Sequence, residues 1–285
     1  MQNRGRLLVG CADQPGIVAA IARFLFESGA NIVDSDQHST DPWGGTFFLR
    51  TDFEAPDLQA RAPELRQAFQ ERVADHLGMR WRLSLAARRK RLAVFVSRED
   101  HCLQELLWQQ RSGDLAADIA VVVSNHARLK PVAERWGAPY AHIPLTPETR
   151  ADAEIRQREL LEGRVDAIVL ARYMQILSPE FVAAWRERII NIHHSFLPAF
   201  VGARPYQQAH DRGVKLIGAT AHYVTEQLDQ GPIIEQDVER VDHRCSVDDL
   251  KRIGRQIERV VLARAVRWHV EDRVLVHGNK TVVFA

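Results

Sequence analysis

"IINIHHSFLPAF" occupies residues 189–200. A run of branched apolar side chains turns polar at Asn191, His193 and His194, then stops at Leu197-Pro198. Such a short apolar run suits a strand buried on both faces, as in a parallel sheet. The same pattern recurs outward from it, in LAVFVS (92–97), IAVVVS (119–124), HIPL (142–145) and DAIVLA (166–171). Helix-like stretches lie between, beginning near His101, Ala127, Thr146-Pro147 and Ser178-Pro179. The last two pair an N-cap hydroxyl with proline at the first helical position. Strand and helix alternating in this way predict a doubly wound, mostly parallel α/β domain over 92–285. Two further strands near 218–224 and 232–238 precede a long helix from Ser246 to about Val270. Residues 273–277 and 280–284 read as a closing hairpin through Gly278-Asn279.

The first 86 residues follow a different rhythm. A short apolar strand from Arg6 to Ala12 leads through Asp13-Gln14-Pro15-Gly16 into a helix with Ile17, Ile21 and Leu25 on one face. Asn31-Ile32-Val33 begins a second strand, and Asp41-Pro42-Trp43-Gly44-Gly45 is a hairpin-type turn. Phe47, Leu49, Thr51 and Phe53 alternate as a half-buried strand does. A second helix carries Leu65, Phe69, Val73 and Leu77, stops at Gly78, and is followed by alternating Met79, Trp81, Leu83 and Leu85. The order βαββαβ predicts a ferredoxin-like sandwich over 1–86. The basic run Arg88-Arg89-Lys90-Arg91 reads as a solvated linker over 87–91.

Composition narrows the function classes. The chain has 285 residues, 46% hydrophobic and 26% charged, with a formal net charge of +1. That balance draws neither nucleic acid nor an anionic membrane to the whole molecule. Cys11, Cys102 and Cys245 are odd in number and widely spaced, so they form no disulfide framework and no paired-cysteine metal motif. The first sixteen residues lack the apolar stretch of a signal peptide, and no run approaches membrane-spanning length. A cytoplasmic location is expected.

Ligands of open α/β sheets bind beyond the carboxyl ends of the strands, where the polar residues of 189–194 fall. Strand alternation sets Asn191 and His193 on one face, and Ile192 and His194 on the other. An amide and an imidazole side by side suit attack on a carbonyl: the amide stabilises a developing oxyanion, and the imidazole transfers a proton near neutral pH. They equally suit a strand terminus that satisfies its own backbone. Asp229, in the turn before Gly231-Pro232, reads either as a turn-former or as a carboxylate orienting the imidazole. Metal ligation is not expected, since no H-E-x-x-H motif or cysteine cluster exists. Ser195 lacks the nucleophile elbow of a serine hydrolase.

Three long stretches carry a family resemblance: NIHHSFLPAFVGARPYQQA (191–209), GATAHYVTEQLDQGPIIEQDV (218–238) and LARYMQILSPEF (170–181). Together they resemble the formyl-transfer domain that uses 10-formyltetrahydrofolate. SREDHCLQELL (97–107) and VSNHARL (123–129) are similar to formyltetrahydrofolate deformylases in particular, and the N-terminal unit resembles an ACT domain. The resemblance implies that Asn191, His193 and Asp229 act on the N10-formyl group. It also implies that Met174, Gln175, Leu177, Val224 and Glu226, on two loops, wall a pterin pocket. Gln175 stands where glycinamide ribonucleotide formyltransferases generally carry arginine. ACT domains commonly bind small amino acids or pair as plain dimerisation modules, which marks Asp13, Gly16 and Asn31 as regulatory candidates and implies a homo-oligomer.

The implied reaction is hydrolysis of 10-formyltetrahydrofolate to formate and tetrahydrofolate, supplying formate and balancing one-carbon folate pools, with no cofactor beyond the folate substrate. The alternative is formyl transfer to glycinamide ribonucleotide, whose phosphate needs a glycine-rich cradle after the first strand. This chain has Ser97-Arg98-Glu99-Asp100-His101-Cys102 there, without glycine and with two carboxylates. A methionyl-tRNA formyltransferase would add a basic C-terminal domain, where this chain has one helix and a hairpin. Water is therefore the expected acceptor, with His194 serving the scaffold or a neighbouring cavity.

Overall fold

The computed structural model describes residues 3–41, 43–199 and 205–285, and the chain divides into two compact units. Pro42 of the expected hairpin turn and residues 200–204 of the NIHHSFLP stretch lie outside the described residues.

The N-terminal unit contains β1 (Arg4–Ala12), α1 (Ile17–Glu27), β2 (Asn31–Ser39), β3 (Thr46–Glu54), α2 (Leu58–Phe69), α3 (Asp75–Leu77) and β4 (Arg80–Leu85). Its four-stranded antiparallel sheet has the order β2-β3-β1-β4, the expected ferredoxin-like arrangement. Leu7, Val9 and Leu49 share one core with Ile21, Phe24 and Phe69 of the helices. Phe53 and Phe69 are fully buried, and truncating either to alanine would cost about 3–5 kcal/mol. The second helix is not one continuous α-helix as expected: α2 and α3 join through a π turn over Gln70–Ala74, which buries both Val73 and Ala74.

Two expected boundaries are corrected. Lys90 and Arg91 are not linker but the start of β5 (Lys90–Val96). Lys90 Nζ donates to the carbonyls of His269 and Val270 at 3.0 and 3.1 Å, and Arg91 pairs with Asp166 at 3.4 Å. Their charge answers local carbonyls and a carboxylate, which a count of consecutive basic residues does not register. The C-terminal segments Glu271–His277 and Val282–Ala285 belong to the N-terminal unit, not to a domain running on to 285. Buried Asp272 explains this: its carboxylate accepts from Ser84 Oγ at 2.6 Å and pairs with Arg82 at 2.9 Å, while its carbonyl accepts from Arg50 Nε at 3.1 Å.

The second unit alternates as expected: α4 (His101–Ser112), β6 (Ala117–Ser124), α5 (Lys130–Arg135), β7 (Tyr140–His142), α6 (Arg150–Leu161), β8 (Ala167–Leu170), α7 (Pro179–Ala184), β9 (Ile189–His193), α8 (Pro205–Arg212), β10 (Leu216–Tyr223), β11 (Ile233–Arg240) and α9 (Val247–Val270). The closing hairpin is β12 (Val274–His277) with β13 (Lys280–Val283). The seven-stranded sheet runs β11-β10-β9-β8-β5-β6-β7. It is parallel from β9 to β7, and antiparallel where β10 and β11 are added. β5 is central, with β6 and β7 on one side and β8 and β9 on the other, which makes the boundary between β5 and β8 a topological switch point.

Ser178 caps α7 as expected, its hydroxyl accepting from the Phe181 amide at 3.1 Å. Thr146-Pro147 does not start a helix. The Thr146 and Thr149 hydroxyls accept each other's backbone amides at 3.0 and 3.3 Å, closing a turn that delays α6 to Arg150. The strand expected at 142–145 is displaced to Tyr140–His142, and Pro144, which has no amide to donate, falls outside the ladder.

Candidate active site

Three chain segments of the second unit converge beyond β8 and β9. The first follows β8, where buried Tyr173 fixes the loop: Gln157 Nε2 donates to its oxygen at 2.9 Å, and its ring meets Phe95 edge-on at 5.1 Å. Burial pushes the Tyr173 phenol up to about 12, so it stays neutral. With Tyr173 anchored, Arg172 and Met174 on either side take left-handed backbone conformations, at φ 63° and 59°. Met174 and Ile176 remain exposed on this loop.

The second segment is the end of β9, and the third is β10 with the loop that follows it. Register puts His222 opposite Asn191 and Thr220 opposite His193. The loop leaves β10 at Val224, whose amide donates to Ile189 at 2.9 Å, and returns at Gly231-Pro232, where the Pro232 carbonyl accepts from Tyr223 at 2.9 Å. Gly231 is required here, because a Cβ would sit 1.7 Å from the Tyr223 carbonyl oxygen. That tight return aims Asp229 back at the strand end.

Asp229 Oδ1 lies 3.3 Å from His193 Nδ1 and 3.7 Å from His222 Nε2. The hydrogen bond from His193 outweighs burial and holds its carboxyl well below the usual carboxylate range. Asp229 is thus an anion at neutral pH, and it orients His193 through Nδ1–H. The other ring nitrogen, His193 Nε2, is buried without a hydrogen-bond partner among the described residues. His222 Nδ1 donates to the Tyr223 carbonyl at 2.9 Å, so its Nε2 is the acceptor for Asn191 Nδ2 at 3.2 Å. This contact fixes the Asn191 amide and leaves its second N–H free to donate. The cluster therefore offers a base, an oriented carboxylate and an oxyanion donor.

A cavity of about 340 Å³ opens onto these groups. Met174, Gln175, Leu177, Val224 and Glu226 all line it beside Asn191, His193 and Asp229, so the structure gathers every site residue expected in this unit. Asp13, Gly16 and Asn31 belong to the other unit. Asp13 accepts from the Ser39 hydroxyl, Gly16 starts α1 with φ 94°, and Asn31 opens β2 opposite Glu54. Ser195 Oγ donates to the Ala199 carbonyl at 2.9 Å, a turn contact. His222 was not singled out from the sequence, although a histidine inside the otherwise apolar and small GATAHYV was the available signal. Arg172 was missed as well.

His194 is not set apart from the site as simple alternation would have it. β9 ends at His193, and beyond it the His194 ring lies 5.2 Å from that of His193 and lines the same cavity. Arg172 and His194 also line a second cavity of about 450 Å³, with Glu99, Tyr206 and Glu258. Burial, helped by the charge of Arg172, lowers His194 to about 4 and keeps it neutral. Glu258 accepts from His101 Nε2 at 2.8 Å and from the Tyr206 hydroxyl at 2.7 Å. Burial pushes its carboxyl up, but the His101 hydrogen bond and the Arg172 charge outweigh that and leave it below its ordinary value. His101, Cys102 and Glu258 bring three donor atoms within 4.8 Å of one another. The set suits a metal poorly: Glu258 is already bonded to His101 and Tyr206, and burial pushes the Cys102 thiol well up.

Comparison with known proteins agrees with both units. A formyl transferase family model matches residues 90–266, and an ACT domain model matches residues 5–70. A formyltetrahydrofolate deformylase of Bacillus subtilis is 58% identical over 284 residues, covering 99% of this chain and 94% of that protein. The Escherichia coli protein of that name is 41% identical, covering 96% of this chain and 95% of its own length. The crystal structure of a formyltetrahydrofolate deformylase from Pseudomonas syringae superposes with a TM-score of 0.94 at 47% identity, covering all of this chain and 95% of that one. A glycinamide ribonucleotide transformylase from Symbiobacterium toebii matches only 69% of this chain, with a TM-score of 0.65 and 32% identity. An ACT-like unit, a formyl-transferase sheet with its Asn-His-Asp cluster, and full-length similarity at this level have one reading: the chain belongs to the formyltetrahydrofolate deformylase family.

Proposed function

We propose that the protein hydrolyses 10-formyltetrahydrofolate to tetrahydrofolate and formate. The observation that carries this reading is the unpartnered His193 Nε2, directed by Asp229 and set beside a fixed Asn191 amide at the wall of an apolar-lined cavity. The pterin occupies the cavity between the Met174–Leu177 loop and the Val224–Asp229 loop. His193 Nε2 takes a proton from water as the water oxygen attacks the formyl carbon. The resulting imidazolium is stabilised by the Asp229 carboxylate, and Asn191 donates its free N–H to the developing oxyanion. His193 then returns the proton to N10 as the carbon–nitrogen bond breaks, and formic acid leaves after losing its own proton. Asp229, as a permanent anion, spares His193 the cost of charging in a buried site.

No metal or cofactor takes part in this scheme, and the folate is substrate. The protein acts in the cytoplasm as a homo-oligomer. Among the described residues no helix is long and apolar enough to cross a membrane. The deciding experiment measures formate released from 10-formyltetrahydrofolate, with and without glycinamide ribonucleotide. Equal rates are expected. Formylated ribonucleotide appearing as fast as formate would replace this reading with transfer.

A further inference from the structure

The hydrolytic scheme leaves one charged side chain at the site without a task. Arg172 is the sole permanently cationic residue among the described residues lining the catalytic cavity, and it also lines the second cavity. Its Nε and Nη1 are buried and make no hydrogen bond among the described residues. Glu258 approaches Nε only to 3.5 Å and already accepts from His101 and Tyr206. The Nε edge of the guanidinium is therefore held by the charge of Glu258, while Nη1 on the opposite edge keeps its donors available. Its backbone sits at φ 63°, a conformation unfavourable for any side chain but glycine, and such positions persist where the surroundings over-determine them.

The reaction creates a matching need. Formate is born as an anion beside the Asp229 carboxylate, in a cavity that also holds Glu226. Tetrahydrofolate would still fill the way in. A small carboxylate leaving that spot needs a cation on its path and a route not blocked by the pterin. Arg172 and His194 form the wall shared with the second cavity, where Lys251 and Arg255 carry the positive charge onward. The neutral state of His194 leaves Arg172 as the anchor there.

We propose that Arg172 is a formate-binding subsite at the junction of the two cavities, and that formate leaves through the second cavity while tetrahydrofolate occupies the first. Nη1, unpartnered on the edge of the guanidinium away from Glu258, donates a charge-assisted hydrogen bond to a formate oxygen. This proposal rests on the hydrolytic reading, yet its test does not require turnover.

The test is a titration of the intact protein, saturated with tetrahydrofolate, with [13C]formate followed by NMR line broadening. Formate is expected to bind to this complex, and nitrate to compete with it. Formamide, of similar size but uncharged, is expected to bind about tenfold or more weakly. Arg172→Met should weaken formate by about tenfold or more, and Arg172→Lys should restore part of the loss. Equal affinity of the wild-type protein for formate and formamide would overturn the subsite, whether or not the variants fold. Formate binding only in the absence of tetrahydrofolate would overturn the separate route. Failure of the hydrolytic reading would show instead as no formate from 10-formyltetrahydrofolate, in an assay independent of these titrations.

Discussion

Gly231 links backbone sterics to catalysis, and Gly231→Ala is the substitution that tests the link. The added methyl would stand 1.7 Å from the Tyr223 carbonyl oxygen and 2.9 Å from its carbon, where real Cβ atoms stay beyond 3.0 Å. Both obstructing atoms are backbone of β10, so the glycine segment has to retreat by roughly 1.3 Å, more than rotamer changes can absorb. Asp229 lies two residues upstream and is held 3.3 Å from His193 by this same return. A displacement of about 1 Å in a catalytic group typically costs on the order of 10²-fold in rate. The assay is formate release at saturating substrate, for Gly231→Ala alone and on an Asp229→Asn background. The glycine change should cost about 10²-fold alone and little once Asp229 is disabled, since both act through one contact. A variant with more than a third of wild-type turnover would refute the argument, as would equal losses on the two backgrounds.

Asn191→Ala should lower turnover by about 10²–10³-fold, as loss of one oxyanion donor does, and His222→Phe should lower it in part by releasing the Asn191 amide; kcat measured for each checks this. His193→Ala and Asp229→Asn should fold and lose most hydrolysis, whereas His194→Gln should be milder, and the order reversed would reassign the base. His194 also predicts a pH effect. Its folded value near 4 lies below the ordinary histidine value of 6.5, so its stabilising contribution is complete above 6.5 and is lost as pH falls toward 4. Between pH 7.5 and 5 the wild type should lose on the order of 2 kcal/mol more stability than His194→Gln, read from urea melts. Assembly through the N-terminal sheet is expected because β2 is a nine-residue edge strand, almost wholly exposed, with Ile32 and Val33 on it. Val33→Lys should shift sedimentation toward monomer, and a wild-type monomer at micromolar concentration would dismiss the idea.

Much of this architecture was legible because it follows from local chemistry. Continuous apolar runs gave the parallel strands, and Ser178-Pro179 gave the start of α7. The trio Asn191, His193 and Asp229 required the family resemblance, since a strand-terminal amide and a turn aspartate carry no such message alone. The boundary errors and the missed His222 share a cause: each depends on a partner distant in sequence. Lys90 and Arg91 look like a solvated run until the carbonyls ending α9 and the Asp166 carboxylate are seen beside them. Asp272 looks like part of a terminal hairpin turn until Arg82 and Ser84 surround it. His222 becomes functional only through cross-strand register with Asn191, and Arg172 only through a loop conformation that arginine seldom adopts.

The same long-range contacts bear on why water is the acceptor. A transferase must bring a phosphorylated amine to the formyl carbon from the side opposite the pterin. In this chain Arg172 and His194 wall the catalytic cavity off from the second one, where two carboxylates, Glu99 and Glu258, stand, the latter 3.5 Å from Arg172 itself, although Lys251 and Arg255 also line it. Glu258 is buried, ionised and already hydrogen-bonded, so it cannot be neutralised cheaply to admit a phosphate dianion. Glu99 stands two residues before α4, where a phosphate cradle would need bare backbone amides. Water needs none of this room. A wall that admits water and passes a small anion, but stops a ribonucleotide, would make hydrolysis the default on a scaffold equally able to transfer. Opening the wall alone would leave both carboxylates facing the phosphate, so a transferase would require their replacement as well as the loss of Arg172.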